Sequence, residues 1–120
     1  MILDFFLFIT MVQAITSKEE FDTVLKETEG VIIADFYATW CGPCKVLGPV
    51  LEELSGEYPE VKFIKVDVDE VPDLAGEYGI SSIPTVFIGK NHIIEEGFLG
   101  AYPKDFYEDK IEKAISWTNE

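Results

Sequence analysis

The sequence predicts an α/β protein with a central mixed β-sheet of about five strands, flanked on both faces by about four helices. Apolar stretches of strand composition alternate with segments of helical periodicity, which is typical of parallel β-α-β units. Residues 31–37 are almost entirely apolar, as in a central strand that is buried on both faces. The last two predicted strands are separated by a short turn, which indicates an antiparallel hairpin at one edge.

The first two elements are a short strand and a helix. Residues 12–16 have strand composition, and the next four residues predict a capping box with Ser17 as the N-cap and Glu20 at the third helical position. The apolar residues that follow at helical spacing are Phe21, Val24 and Leu25. Gly30 ends this unit, and the central strand begins at Val31.

A turn and a second helix follow the central strand. The sequence Trp40-Cys41-Gly42-Pro43-Cys44 forms the turn into this helix. Its predicted apolar stripe consists of Val46, Leu47, Val50, Leu51 and Leu54. Pro49 lies inside the helix and should kink it, because proline has no backbone N–H.

The second half repeats the alternation and ends with the hairpin and a helix. The predicted strands cover residues 61–66, 83–88 and 93–99. A short helix is predicted around Leu74, and residues 90–92 form the hairpin turn. Pro103 opens the last helix. Its predicted buried residues are Phe106, Tyr107, Ile111, Ala114 and Ile115.

The composition predicts a single acidic domain. The chain has 120 residues, of which 48% are hydrophobic, enough for a packed core. Nine Lys and Arg residues stand against 23 Asp and Glu residues, a formal net charge of -14. Such a surface repels phosphate backbones and anionic lipids, so we expect no nucleic-acid or membrane partner. We also expect a monomer. The acidity favours basic or neutral partner surfaces, or serves solubility alone.

Residues 1–10 are interpreted as an apolar extension, and residues 11–120 as the domain. The apolar stretch up to Ile15 is too short to span a bilayer as a helix. It also lacks the basic start of a signal peptide, because the first Lys is Lys18 and Asp4 interrupts it. We therefore expect a cytoplasmic protein. An export signal cleaved after residues 12–14 and a translation start at Met11 are the alternatives.

The two cysteines lie in one Cys-x-x-Cys unit, Cys41 and Cys44. Two Cys and the single His92 cannot supply four zinc ligands in one chain, although a metal half-site shared between two chains is an alternative. A disulfide across so small a loop stabilises little. The pair therefore indicates redox chemistry.

The position of each cysteine predicts its role. Only a thiolate attacks a disulfide, and Cys41 lies at the predicted N-terminus of the second helix, where free N–H groups and the helix dipole lower a thiol pKa. Cys44 lies one turn further along and should be more buried. We predict that Cys41 attacks the substrate and that Cys44 resolves the mixed disulfide.

The residues around this pair resemble those of the thioredoxin family. The motif WCGPC at residues 40–44 follows Ala34-Asp35-Phe36-Tyr37-Ala38-Thr39, as in that family. Ile83-Pro84-Thr85 resembles the family's cis-proline loop, and Gly100-Ala101 its glycine-containing patch after the last strand. The resemblance covers residues 12–117. It implies the thioredoxin fold and a thiol–disulfide oxidoreductase with no bound cofactor, acting in electron transport and cell redox homeostasis.

The resemblance also implies a substrate-docking surface. Pro84 would hold a cis peptide bond beside the cysteines, so that backbone groups of Ile83 pair with an extended substrate strand. The residues implied to line the surface are Trp40, Gly42, Pro43, Ile83, Pro84, Thr85, Gly100 and Ala101. The implied partners are disulfide-containing proteins and an NADPH-dependent thioredoxin reductase, and no metal is implied.

Asp35 is a carboxylate inside an apolar strand, which is costly unless it is protonated or paired. Burial should raise its pKa, so we predict that Asp35 accepts a proton from Cys44 as Cys44 becomes the nucleophile. Lys65 on the neighbouring strand resembles the family's partner lysine and would modulate Asp35. A partly solvated Asp at a bulge is the alternative.

Three further features are less specific. Lys45 is either a charge near the cysteines or an ordinary solvated helix residue. The acidic residues 67–70 lack the Gly and Glu of a calcium loop and are interpreted as the solvated start of a helix. His92 stands where the family usually has Gly in a tight turn, which leaves the turn type open.

The expected activity is reduction of protein disulfides. The Gly42-Pro43 pair between the cysteines resembles reducing members of the family, whereas oxidising and isomerising relatives usually carry His there. Two alternatives stay open. One is an oxidant or isomerase in an exported setting. The other is a binding subunit whose partner uses the fold and not the thiols.

Overall fold

The computed structural model describes residues 12–117, so the predicted extension at residues 1–10 lies outside the described residues. The elements follow the predicted order. They are β1 (Val12–Ile15), α1 (Lys18–Glu27), β2 (Val31–Tyr37), α2 (Gly42–Glu57), β3 (Lys62–Asp67), α3 (Pro72–Glu77), β4 (Thr85–Lys90), β5 (Ile93–Leu99) and α4 (Lys104–Ser116). Within this part of the chain, no helix combines the length and the apolar composition needed to cross a bilayer.

The five strands form one mixed sheet in the order β1-β3-β2-β4-β5. β3 runs parallel to both β1 and β2, and β4 runs antiparallel to β2 and β5. The prediction of a mixed sheet with residues 31–37 at its centre is confirmed. In this arrangement β2, β3 and β5 end at the same end of the sheet, and β4 begins there. The Cys-x-x-Cys turn, which follows β2, and the Pro84 loop, which precedes β4, both lie at this end of the sheet.

The central strand β2 supplies both faces of the core. Val31 and Ile33 join the cluster under α2 and α4, whereas Ile32, Ala34 and Phe36 join the cluster under α1 and α3. Successive strand residues point to opposite faces, so a strand covered by helices on both sides must be apolar throughout. The unbroken apolar run in the sequence has this cause, and Asp35 interrupts it on the α2 side.

The predicted capping box is half confirmed. The Ser17 hydroxyl accepts a hydrogen bond from the Glu20 N–H at 3.0 Å, as predicted. The Glu20 carboxylate, however, accepts from the N–H of Thr16 at 2.7 Å and not from that of Ser17. The Thr16 hydroxyl and the Gln13 amide also donate to this carboxylate, so β1 and the residue that follows it supply all three donors. These bonds lower the pKa of Glu20, and the bond from the Thr16 N–H contributes most.

Two residues of the predicted helical stripes are exposed. Val46 on α2 is 69% exposed, and Ile115 lies on the open side of α4. Each is displaced by about 100° around its helix from a buried neighbour, Leu47 or Ala114. The buried faces are narrower than predicted, because each helix contacts the sheet along one side.

Two strands start later than predicted, and the hairpin turn is now defined. β4 begins at Thr85, because Pro84 has no N–H to donate to a strand ladder. β3 likewise covers residues 62–67 where 61–66 was predicted. Asn91 and His92 connect β4 to β5 with φ values of 52° and 78°. Two consecutive positive φ values are the mark of a type I′ turn.

Candidate active site

The cysteine pair lies at the N-terminus of α2. Cys41 is the N-cap residue, Cys44 lies in the first turn, and the two form a disulfide with a Cα–Cα distance of 5.3 Å. The backbone N–H of Cys44 points at the Cys41 sulfur at 3.3 Å. A helix start presents N–H groups that have no partner inside the helix. The predicted location of Cys41 at such a site is therefore confirmed.

The prediction that Cys44 is the more buried cysteine is wrong for this disulfide form. Both residues are 5% exposed. The Pro84 loop covers Cys41, whose Sγ lies 3.8 Å from the carbonyl oxygen of Ile83. The two cysteines differ in what they face. Cys44 lines a pocket on the α2 side of the sheet, and Cys41 does not.

Three segments that are distant in sequence meet beside the cysteines. The Ile83–Pro84 peptide bond is cis, as the family resemblance implied. The carbonyl oxygen of Pro84 accepts a hydrogen bond from the N–H of Gly100 at 2.8 Å. Gly100 has a φ of 93°, a conformation that glycine adopts at little cost. The Cys-x-x-Cys turn, the Pro84 loop and the Gly100 segment thus form one continuous surface.

The eight residues implied to line this surface differ in exposure. Trp40 is 68% exposed. The other exposed residues are Gly42, Pro43 and Ala101, and Ile83 and Gly100 are partly exposed. Pro84 and Thr85 are buried. The Thr85 hydroxyl donates to the carbonyl oxygen of Ser82 at 2.7 Å, inside the loop. Burial of Thr85 argues against direct contact with a partner, and its hydroxyl holds the loop in shape.

Asp69 is a site residue that the sequence analysis missed. The Trp40 indole Nε1–H donates to its carboxylate at 2.8 Å. Asp67 is buried and accepts from the Asp69 N–H at 2.9 Å, which fixes this turn. The acidic residues 67–70 were therefore more than the solvated start of a helix. The available signal was their position after β3, whose C-terminal end lies beside that of β2.

Asp35 and Lys65 lie opposite each other on β2 and β3. Asp35 is 4% exposed, and the predicted burial is confirmed. Both residues line the pocket of about 690 Å³ that Cys44 also lines. Lys45 is exposed and lines the same pocket. Asp35 thus borders the pocket while its side chain stays almost fully buried.

The electrostatics of Asp35 agree with the prediction from its sequence context. Burial raises the pKa of Asp35 to about 7, and the positive charge of Lys65 opposes this shift. Its Oδ1 accepts no hydrogen bond from the described residues. Both the protonated and the charged form are therefore accessible near neutral pH, which is the property that a proton acceptor needs.

The whole of this arrangement lies within residues 12–113, which match the family model for thioredoxin. The chain belongs to the thioredoxin family. It is 46% identical over 89 residues to thioredoxin from Bacillus subtilis, a match that covers 73% of this chain and 86% of that protein. It is 42% identical over 98 residues to thioredoxin from Chlorobaculum thiosulfatiphilum, covering 81% of this chain and 91% of that one.

Solved structures agree with the family assignment. The oxidised form of mitochondrial thioredoxin 3 from Saccharomyces cerevisiae superposes with a TM-score of 0.79 at 38% identity, over 88% of this chain and 98% of that chain. The fold is therefore the thioredoxin fold. As a member of this family with the Cys41–Cys44 pair at its active site, the chain is a thiol–disulfide oxidoreductase.

Proposed function

We propose that this chain reduces disulfide bonds in other proteins, with Cys41 as the nucleophile and Cys44 as the resolving cysteine. The observation that carries these roles is the different surroundings of the two sulfurs. Cys41 Sγ lies at the helix start and against the Pro84 loop, which belongs to the proposed docking surface. Cys44 shares a pocket with Asp35, where a group that can take its proton is available.

The reaction proceeds in two exchange steps. The Cys41 thiolate attacks one substrate sulfur, forms a mixed disulfide and releases the other substrate sulfur, which takes a proton from water. Cys44 then loses its proton and attacks Cys41 Sγ. The mixed disulfide breaks, the second substrate sulfur leaves as a thiolate and takes a proton from water, and the Cys41–Cys44 disulfide forms. Two electrons pass from the dithiol to the substrate.

Asp35 serves the second step as the acceptor of the Cys44 proton, through the pocket that both residues line. Its raised pKa makes the transfer feasible near neutral pH. Lys65 modulates Asp35, because its positive charge lowers a pKa that burial raises. Asp35 Oδ1 accepts no hydrogen bond from residues 12–117, which supports this role.

Substrate docks as an extended segment across the surface formed by the three converging loops. The contact residues are Trp40, Gly42, Pro43, Ile83, Gly100 and Ala101, with Pro84 and Thr85 shaping the loop beneath them. Backbone groups of Ile83 would pair with the substrate backbone, as the family resemblance implies, which gives affinity with little sequence preference. Such docking suits a reductase that serves many proteins.

The domain of residues 11–120 acts as a monomer in the cytoplasm, in electron transport and redox homeostasis. A reducing compartment keeps the dithiol available as the reductant. Thioredoxin reductase returns the Cys41–Cys44 disulfide to the dithiol with electrons from NADPH. Support for this assignment comes from family membership and from the Gly-Pro pair between the cysteines.

The test is reduction of insulin disulfides with NADPH and a thioredoxin reductase. We expect turnover with the parent chain and none with Cys41→Ser. Cys44→Ser should instead accumulate a mixed disulfide between Cys41 and insulin, visible by mass. If Cys41→Ser reduces insulin as fast as the parent, or if Cys44→Ser traps nothing, the assigned roles are wrong.

A further inference from the structure

The segment that leaves β5 is exposed, and two hydrogen bonds fix its backbone. It runs from Gly100 to Pro103, between β5 and α4. At one end the Gly100 N–H donates to the carbonyl oxygen of Pro84 at 2.8 Å. At the other end the Tyr102 N–H donates to the hydroxyl oxygen of Tyr107 at 3.2 Å. Ala101, exposed and assigned to the docking surface, lies between these two bonds.

Tyr107 is suited to hold this segment because its own position is fixed. It lies on the buried side of α4, is 2% exposed and belongs to the core cluster under α2 and α4. Its ring contacts those of Phe106 and Tyr102 edge to face. Packing in an apolar core needs only the ring, for which Phe would suffice. The hydroxyl therefore has a role of its own, which is to accept the Tyr102 N–H.

The group held in place is part of the surface that a partner meets. Tyr102 is 40% exposed, and its ring stacks on Phe106 with the centroids 4.2 Å apart. This stack places an aromatic ring directly after Ala101 in the docking surface. Without the Tyr107 hydroxyl, the Tyr102 N–H loses its partner, and the backbone is then held by the Gly100 bond to Pro84 and by the Phe106 N–H, which donates to the carbonyl oxygen of Pro103 at the start of α4.

We infer that Tyr107 is a positioning residue for substrate docking, which holds Ala101 and Tyr102 in the conformation that a protein substrate binds. The inference rests on the proposed function and adds a residue to it. A segment that adopts the binding conformation for only part of the time weakens apparent affinity by that fraction. It leaves the chemistry at the two sulfurs unchanged.

The test is Tyr107→Phe, which keeps the buried ring and removes only the hydroxyl. We expect the KM for insulin to rise about threefold or more, as the loss of one neutral hydrogen bond predicts, with kcat unchanged. Reduction of a small disulfide such as 5,5′-dithiobis(2-nitrobenzoic acid) should keep its parent rate, because it needs no docking segment. Hydrogen exchange at the Tyr102 amide should become faster.

The matched control is Tyr58→Phe. Tyr58 lies at the other end of α2, and its hydroxyl donates to Glu112 at 2.8 Å, so the variant loses a hydroxyl bond away from the docking surface. Its KM for insulin should equal that of the parent. If Tyr107→Phe leaves this KM unchanged, or slows insulin and the small disulfide equally, the inference is wrong. A parent chain inert on both disulfides would overturn the proposed function itself.

Discussion

Asp35 and Lys65 lie directly opposite each other on neighbouring parallel strands, yet the Asp35 Oδ1 has no hydrogen-bond partner among the described residues. A buried carboxylate with a full set of partners would be held in one charge state. Here burial raises the pKa and Lys65 lowers it, and the balance is about 7. Asp35 can therefore change its protonation state during turnover at neutral pH.

The first prediction concerns stability. Folding raises the pKa of Asp35 from 3.8 to about 7, so the folded state favours the protonated carboxyl group. Its contribution to the free energy of unfolding is therefore complete below about pH 4 and is lost as the pH rises to about 7. At pH 8 we expect the free energy of unfolding of Asp35→Asn, measured in urea, to exceed that of the parent by about 2–4 kcal/mol. Near pH 4 the two free energies should be equal. A difference of equal size at both values would contradict the assignment. The control is Glu19→Gln on exposed α1.

The second prediction concerns the rate of the same variant. Asn cannot accept the Cys44 proton, so Asp35→Asn should slow release of substrate from the mixed disulfide about tenfold. This is less than the roughly 10²-fold to 10⁴-fold of general-base catalysis, because water can also take the proton. Rapid-quench detection of the mixed disulfide separates this step from the first attack, which should keep its rate. Lys65→Met retains the carboxyl and should move the pH midpoint of the second step upward.

The third prediction concerns the hydrogen bond between Trp40 and Asp69. Asp69→Ala removes the partner of an indole that is largely exposed, so the ring should sample other orientations. We expect the KM for insulin to rise about twofold to threefold, with a change in unfolding free energy within about 0.5 kcal/mol. The fluorescence of Trp40, measured in a Trp117→Phe background, should shift. An unchanged spectrum would show that Asp69 does not orient the indole.

The fourth prediction concerns the end of α4. The Lys90 ammonium donates to the carbonyl oxygens of Ile115 at 3.0 Å and Trp117 at 2.6 Å, so it caps this helix from the hairpin. Lys90→Met should lower the free energy of unfolding by about 1 kcal/mol, measured in urea. Lys113→Met is the control, because the Lys113–Asp109 pair is well exposed and should contribute close to nothing. If both variants lose the same free energy of unfolding, Lys90 does not cap the helix.

The parts of the fold that followed from sequence are those set by local pattern. The apolar run at 31–37, rich in β-branched and aromatic residues, predicted a strand covered on both faces, and it is the central strand. The Ser17 cap was predictable because its acceptor and donor lie three residues apart. The helical stripes were too wide, since a local pattern contains no information on how much of each helix its neighbours cover. Val46 is the example.

The sequence by itself determined which groups carry the chemistry of this protein, because the local pattern identifies two cysteines at a helix start and a carboxyl group inside an apolar strand. Only the tertiary structure decided which side chains and backbone groups contact the active-site residues and the docking surface. Trp40 meets Asp69, Cys41 lies under the Ile83 carbonyl, and Tyr107 holds the Tyr102 amide. Most of these contacts join segments that only the pairing order of the strands brings together, and no spacing along the chain encodes them.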